Sequence, residues 1–265
     1  MKKTFIRSLS LLSLALCVSA SVLAQTETAT KAVDNSARAV APGGAKDPTP
    51  GVGITAITAT TSPVDLARAA LAAQGGEKYK TLKNMVLRGS VDLYAPNSTQ
   101  SIPGGFVLVT AGEKFRLEVD ARPAFSLKFI SDGERNYSSL PGVDLPPPSK
   151  FGMVALTKFD QQGYTVSALP DKKKQRGFRI SDAEGNTTDF YIDTATARVM
   201  TFLIPYNGYT FGTDNDKFKE IDGVLVPVEF SWRLEMPQGA FFAAYKIKEP
   251  KLNQTLGDDV FAMPN

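Results

Sequence analysis

The sequence predicts a mainly β protein: one antiparallel sheet that curls around its own apolar face, with a helix where folding begins and a helical insertion partway along. Three observations carry this. Beyond residue 85 the apolar residues fall into short runs, enough for roughly ten strands. Hairpin-type turn signals separate them, among them Asp132-Gly133, Glu184-Gly185-Asn186 and Asp222-Gly223. The links are too short for helical crossovers, so neighbours pair antiparallel. A sheet of this size with one greasy face must curl, and helices can plug its inside.

The chain opens with Lys2, Lys3 and Arg7, then an apolar run at 9–18 that is too short to span a bilayer, then small residues ending Val22-Leu23-Ala24. This reads as a secretory signal peptide over residues 1–24, cleaved before Gln25, which places the mature chain in the periplasm or otherwise outside the cytoplasm. Residues 25–61, rich in Ala, Thr, Pro and Gly, show no periodicity and read as a flexible linker. Residues 62–265 form the folded domain.

Ser62 is a good N-cap, Pro63 suits the first helical position and Asp65 favours the positive end of the helix dipole. Apolar Leu66, Ala70 and Leu71 share a face, and Gly75-Gly76 supplies the stop. Residues 77–82 add a further helical turn. Strands are expected at 86–94, 106–109, 114–119, 125–130 and 135–140. The Pro-rich stretch 141–148 cannot pair as a central strand. Ser149 is expected to cap a short helix over 150–159, after which strands resume at 164–169, 177–181, 188–193, 198–206, 217–221, 224–234 and 241–247.

Composition excludes several kinds of chemistry. The chain has no histidine and one cysteine, Cys17, which lies inside the signal. The mature chain therefore has no thiolate nucleophile, disulfide, Ser-His-Asp arrangement or histidine metal site. Three of the 30 basic residues and none of the 27 acidic ones lie in the signal, leaving 27 against 27. That balance gives no basic footprint for nucleic acid, and no later apolar run is long enough to cross a membrane.

Several stretches resemble the LolA-type superfamily of outer-membrane lipoprotein-sorting carriers. These are Ala72-Ala73-Gln74-Gly75-Gly76 leading into Leu82-Lys83-Asn84-Met85-Val86, then Gly112-Glu113-Lys114-Phe115-Arg116-Leu117 and Ser131-Asp132-Gly133 with Tyr137. Lys219-Glu220-Ile221-Asp222-Gly223 and the closing Leu256-Gly257-Asp258-Asp259-Val260-Phe261 follow in the family's order. The resemblance covers about residues 64–264. It implies a curved antiparallel half-barrel with a helical lid and an apolar cavity that accepts acyl chains. The linker and the Pro-rich loop set the chain apart from the dedicated carriers, so the wider role of binding a lipid or another envelope component is what the resemblance implies.

The candidate ligand-binding residues are the large strand residues Phe106, Phe115, Phe129, Phe190, Phe202, Phe230, Trp232, Phe241 and Tyr245. They line a cavity or pack a solid core, and large apolar residues are normally buried either way. Arg116, in the Lys-Phe-Arg strand, is the candidate to fasten a lid through backbone carbonyls; as a strand charge it equally suits a solvent-facing position. Lys172-Lys173-Lys174 reads as a solvated hairpin tip or a contact for anionic headgroups. Asp258-Asp259, Asp214 with Asp216, and Asp189 with Asp193 are carboxylate pairs at strands or turns. The expectation is a non-catalytic periplasmic binding protein for lipid or lipoprotein acyl chains, needing no cofactor or metal. An envelope sensor with a protein partner and a carboxylate-dependent hydrolase are the alternatives.

Overall fold

The structure, a computed structural model, describes residues 56–264 apart from 141, 143, 237 and 238. The expected signal peptide and all but the last six residues of the expected linker lie outside the described residues. The described residues all fall within the unit Lys46–Asn265. The end of the expected linker packs on the fold: Ile57 joins the core, and Arg176 donates to the Thr58 and Thr61 carbonyls. An apolar side chain and two backbone acceptors are enough to hold a segment whose composition alone reads as unstructured.

Helix α1 (Pro63–Ala73) starts where its cap predicts, with Ser62 Oγ accepting from Asp65 N at 3.2 Å. It ends as the paired glycines predict. Gly76 N donates to Leu71 O at 2.9 Å and Gly75 N to Ala72 O at 3.1 Å, which satisfies two carbonyls of the last turn. Gly75 has φ 121°, and a Cβ there would stand 2.7 Å from Gly223 O. Only glycine allows this helix end to press so closely on a distant turn. Helix α2 (Glu77–Lys80) follows.

The strands are β1 (Met85–Tyr94), β2 (Ser101–Ala111), β3 (Lys114–Ala121), β4 (Phe125–Ser131) and β5 (Asn136–Ser138). After helix α3 (Met153–Thr157) come β6 (Thr165–Lys172), β7 (Gln175–Ser181), β8 (Thr187–Asp193), β9 (Val199–Tyr206), β10 (Tyr209–Ile221), β11 (Val224–Met236) and β12 (Gly239–Leu252). They form one sheet in the order β5-β4-β3-β2-β1-β12-β11-β10-β9-β8-β7-β6. Twelve strands form against the roughly ten expected, each overlapping one of the expected ranges, down to the three-residue β5 on β4. The sheet is open and curved, a half-barrel in the sense the sequence predicts. Its curl shows in the rings: three strands lie between β3 and β11 in the order, yet Phe115 and Trp232 have centroids 6.4 Å apart.

Helix α3 is shorter than the expected 150–159, and Ser149 does not cap it. Gly152 occupies the N-cap position at φ 63°, and its N–H donates to Thr188 Oγ1 of β8 at 3.0 Å. A tertiary acceptor holds this backbone group, so the local capping residue is not used.

Two apolar clusters result. One joins α1 (Leu66, Ala67, Ala70, Leu71) and α3 (Ala155, Leu156) to Phe178, Ile180, Phe190, Ile192 and Val199 on β7–β9. The other lies on β1–β4, β11 and β12, with Leu87, Leu117, Phe129 and Phe230 among its members. Tyr79 of α2 touches both.

The register of β1 against β12 shifts at Arg88/Gly89, and a Cβ on Gly89 would lie 1.9 Å from Lys246 O. Gly89→Ala is therefore expected to cost about 3 kcal/mol, read as a lowered denaturant midpoint. Gly105→Ala, whose Cβ would meet only Gly89 O at 3.8 Å, is the control with a small effect. In the β4–β5 turn, backbone N–H groups of Arg135 and then Glu134 hold the Asp132 carboxyl down at about 2, from an ordinary 3.8. The turn's contribution is thus full above about pH 4 and is lost as pH falls through about 2, and an NMR titration of the Asp132 carboxyl should show a midpoint near 2.

Candidate functional site

The inside of the sheet is filled on one side and open on the other. Over β7–β9, helices α1 and α3 pack on the strands. Over β1–β4 and β9–β12 the aromatic face is covered by the connection from β5 to β6, of which α3 is part, with Gln74 and Tyr79 at its border. Beneath it lies a cavity of about 880 Å³, within the range that holds single small ligands. Its floor includes Leu87, Leu108, Leu117 and Leu127, and Leu145 of the connection also borders it. Pro146, Pro148, Phe151, Met153 and Val154 of the connection face it from above. Burial pushes the Tyr79 phenol on its wall up to about 12 and raises that of Tyr245 as well, the signature of surroundings with little water.

Polar ties hold the covering segment around its edge. Asp144 accepts from Asn207 Nδ2 at 2.8 Å and Tyr206 Oη at 3.2 Å, at the end of β9. Lys150 pairs with Glu184 in the β7–β8 turn, and Lys158 with Glu113 in the β2–β3 turn. Lys80 of α2 reaches Asp160 at 3.0 Å. The segment is apolar below and charged at its rim, which is the build of a lid. Rim pairs of this exposure are worth about 0.5 kcal/mol each.

Seven of the nine expected aromatic residues border this cavity: Phe115, Phe129, Phe202, Phe230, Trp232, Phe241 and Tyr245. Two do not. Phe190 is fully buried between Phe178 and Phe202, under the two helices. Phe106 packs its edge on Tyr245, 4.8 Å between centroids, and borders instead a shallow depression with Arg88, Glu118 and Asp120. Both are core residues because other rings or helices cover them. Arg116 does not face the lid either. Its neighbours Phe115 and Leu117 point into the cavity, so alternation turns Arg116 outward. There it donates to Val260 O at 2.6 Å and to Glu118 at 2.7 Å, holding the C-terminal turn against the outer surface. It does fasten a segment through a backbone carbonyl, but on the opposite face.

Composition-based reading missed the buried polar members of the wall: Gln74, Asn84, Thr213 and Asn215. Gln74 was visible only inside the stretch Ala72-Ala73-Gln74-Gly75-Gly76 that carried the resemblance. Three of the six carboxylates in the expected acidic pairs have structural work. Asp189 is paired with Arg179 at 2.5 Å, Asp193 accepts from Ala195 and Thr196 N–H groups, and Asp214 binds Thr201 and Arg233. Among the described residues no three acidic, cysteine or histidine side chains come together as a metal site. Of the basic tip, Lys172 lies over the Tyr191 ring at 3.9 Å.

An open curved antiparallel sheet with an apolar cavity under a covering segment is the class of architecture this chain has. Several solved structures are similar to it. A LolA superfamily protein from Nitrosomonas europaea aligns over 77% of this chain and 99% of its own, with 10% identity and a TM-score of 0.50. A putative outer membrane lipoprotein-sorting protein domain from Vibrio parahaemolyticus aligns over 74% and 97%, with 11% identity and a TM-score of 0.45. A DUF1329 family protein from Desulfovibrio piger aligns over 76% and 98%, with 10% identity and a TM-score of 0.48. No family model matches the sequence, and no curated protein matches it. The fold is LolA-like.

Two outcomes follow from this geometry. Lys158→Met removes one rim tie of about 0.5 kcal/mol, so the lid should open about twice as often, read as faster amide exchange over residues 144–160. Arg116→Met should cost about 1.5 kcal/mol and raise exchange in residues 257–262 while leaving cavity binding unchanged.

Proposed function

We propose that this chain is an exported, non-catalytic carrier or binding protein of the cell envelope that holds an acyl chain of a lipid or lipoprotein beneath its lid. The observation that carries the reading is the cavity itself: about 880 Å³ of largely apolar space, left open although helices fill the rest of the concave face. Burying an acyl chain there gains up to about 0.8 kcal/mol per methylene, so affinity needs no charged key residue. The signal-like N-terminus supports export, and the likeness of the fold to a LolA superfamily protein supports the envelope. No covalent step is required: the carboxylates most suited to one are committed to ion pairs and turns.

A second reading, an envelope sensor or protein-interaction module of the same fold, has one observation in its favour. Ile102, Phe241 and Phe242 border the cavity yet are 37%, 45% and 46% exposed, an apolar rim that a partner could cover.

The test of the first reading is native mass spectrometry for copurified lipid, followed by displacement of a lipophilic dye with acyl chains of increasing length. Each added methylene should tighten binding up to about fourfold until the cavity is full. Trp232 is the sole tryptophan and borders the cavity, so its emission should shift as a chain binds. Ala243→Phe, which fills space opposite Trp232, should weaken binding at least tenfold with little change in melting temperature. No copurified lipid, no dye displacement and a stable envelope-protein partner in a pull-down would instead select the second reading.

A further inference from the structure

The wall of the cavity carries one polar group that the protein itself leaves unmatched. Gln74 is only 3% exposed, borders the cavity, and its Nε2 has no hydrogen-bond partner. Among the described residues the other buried side-chain nitrogen without a hydrogen bond is Arg233 Nε, which still lies 3.0 Å from the Glu235 carboxylate. Its backbone is fixed in place: Gln74 is the C-cap of α1, its backbone N–H donates to Ala70 O at 3.2 Å, and its carbonyl accepts from Leu225 N at 3.0 Å. A buried donor left unmade is costly, so this buried amide marks a place where an acceptor belongs.

The charges around it say which acceptor. Four cationic side chains border the cavity, and each is engaged elsewhere: Lys80 with Asp160, Lys158 with Glu113, Arg233 with Asp214, and Lys114 over the Phe261 ring. The neighbouring phenol of Tyr79 is a neutral group. A free carboxylate brought here would lose its water without gaining a counter-ion, whereas an ester or amide carbonyl needs only a neutral donor.

We infer that Gln74 is a specificity-determining residue whose side-chain amide donates to the carbonyl of an ester- or amide-linked acyl chain, so that the cavity takes acylated molecules in preference to free fatty acids. This rests on the reading of the cavity as an acyl-chain site.

The experiment measures displacement of a lipophilic dye by three probes of similar length: methyl laurate, tetradecane and laurate at pH 8. Gln74→Met keeps the volume and removes the donor. It should weaken methyl laurate about tenfold and leave tetradecane within twofold, and in the unmodified protein laurate should bind less tightly than methyl laurate. Without ligand, the variant should melt no lower than the unmodified protein, because it loses an unmatched polar group. Equal effects on ester and alkane, no effect on either, or tighter binding of laurate would overturn the inference. So would a variant that melts lower or does not fold, since Gln74 would then be satisfied by a trapped water or by the fold. If none of the probes displaces the dye from the unmodified protein, it is the acyl-chain reading that fails, and this inference falls with it.

Discussion

The pairing of β1 with β12 governs the architecture. The chain enters the sheet at its middle, walks outward to one edge at β5, and must then reach the opposite edge at β6 before walking back. When β12 settles beside β1, the two meanders become one sheet. The single long connection, from β5 to β6, then has to travel between the two free edges. It crosses the open side of the curl, and so the lid is a consequence of strand order. The bulge at Arg88/Gly89, with Gly89 against Lys246 O, shows how tightly this seam is drawn.

Curl and cover divide the concave face unequally. Helices α1 and α3 bring small and medium apolar residues onto β7–β9, where close packing leaves no room. The lid brings prolines and a Pro-rich turn over the other half, and such a segment cannot interdigitate with a row of aromatic rings. The result is a cavity whose lining has lost contacts that a filled core would make. A protein can carry that loss when an apolar guest restores the contacts. The weak rim ties suit the same end, since a lid latched by exposed pairs closes without being locked.

Much of this was legible in the residues. The N-cap at Ser62, the glycine stop at Gly75-Gly76 and the Asp-Gly hairpins at 132–133 and 222–223 are local signals with local mechanisms, and they form as expected. Of the nine large aromatic strand residues expected to be buried, five are, and seven of the nine border the cavity. What could not be read is which apolar neighbour each one meets. Phe190 and Phe202 look alike in sequence and pair across strands, yet α1 and α3 cover one and leave the other at the cavity. Arg116 shows the same limit. Its residue type and motif suggested a fastening role, but the parity of β3 decides that it fastens the C-terminal turn outside.

The sequence by itself determined the class of the fold, where α1 begins and ends, and the lack of histidine. These depend on composition, period and short-range backbone preference, which act within a few residues. Only the tertiary structure decided that a cavity exists, which rings surround it, and that Gln74 lies unmatched in its wall. Those depend on the order in which strands pair and on where the β5–β6 connection comes to rest. Both are set by contacts between residues far apart in the chain, to which no local pattern is sensitive.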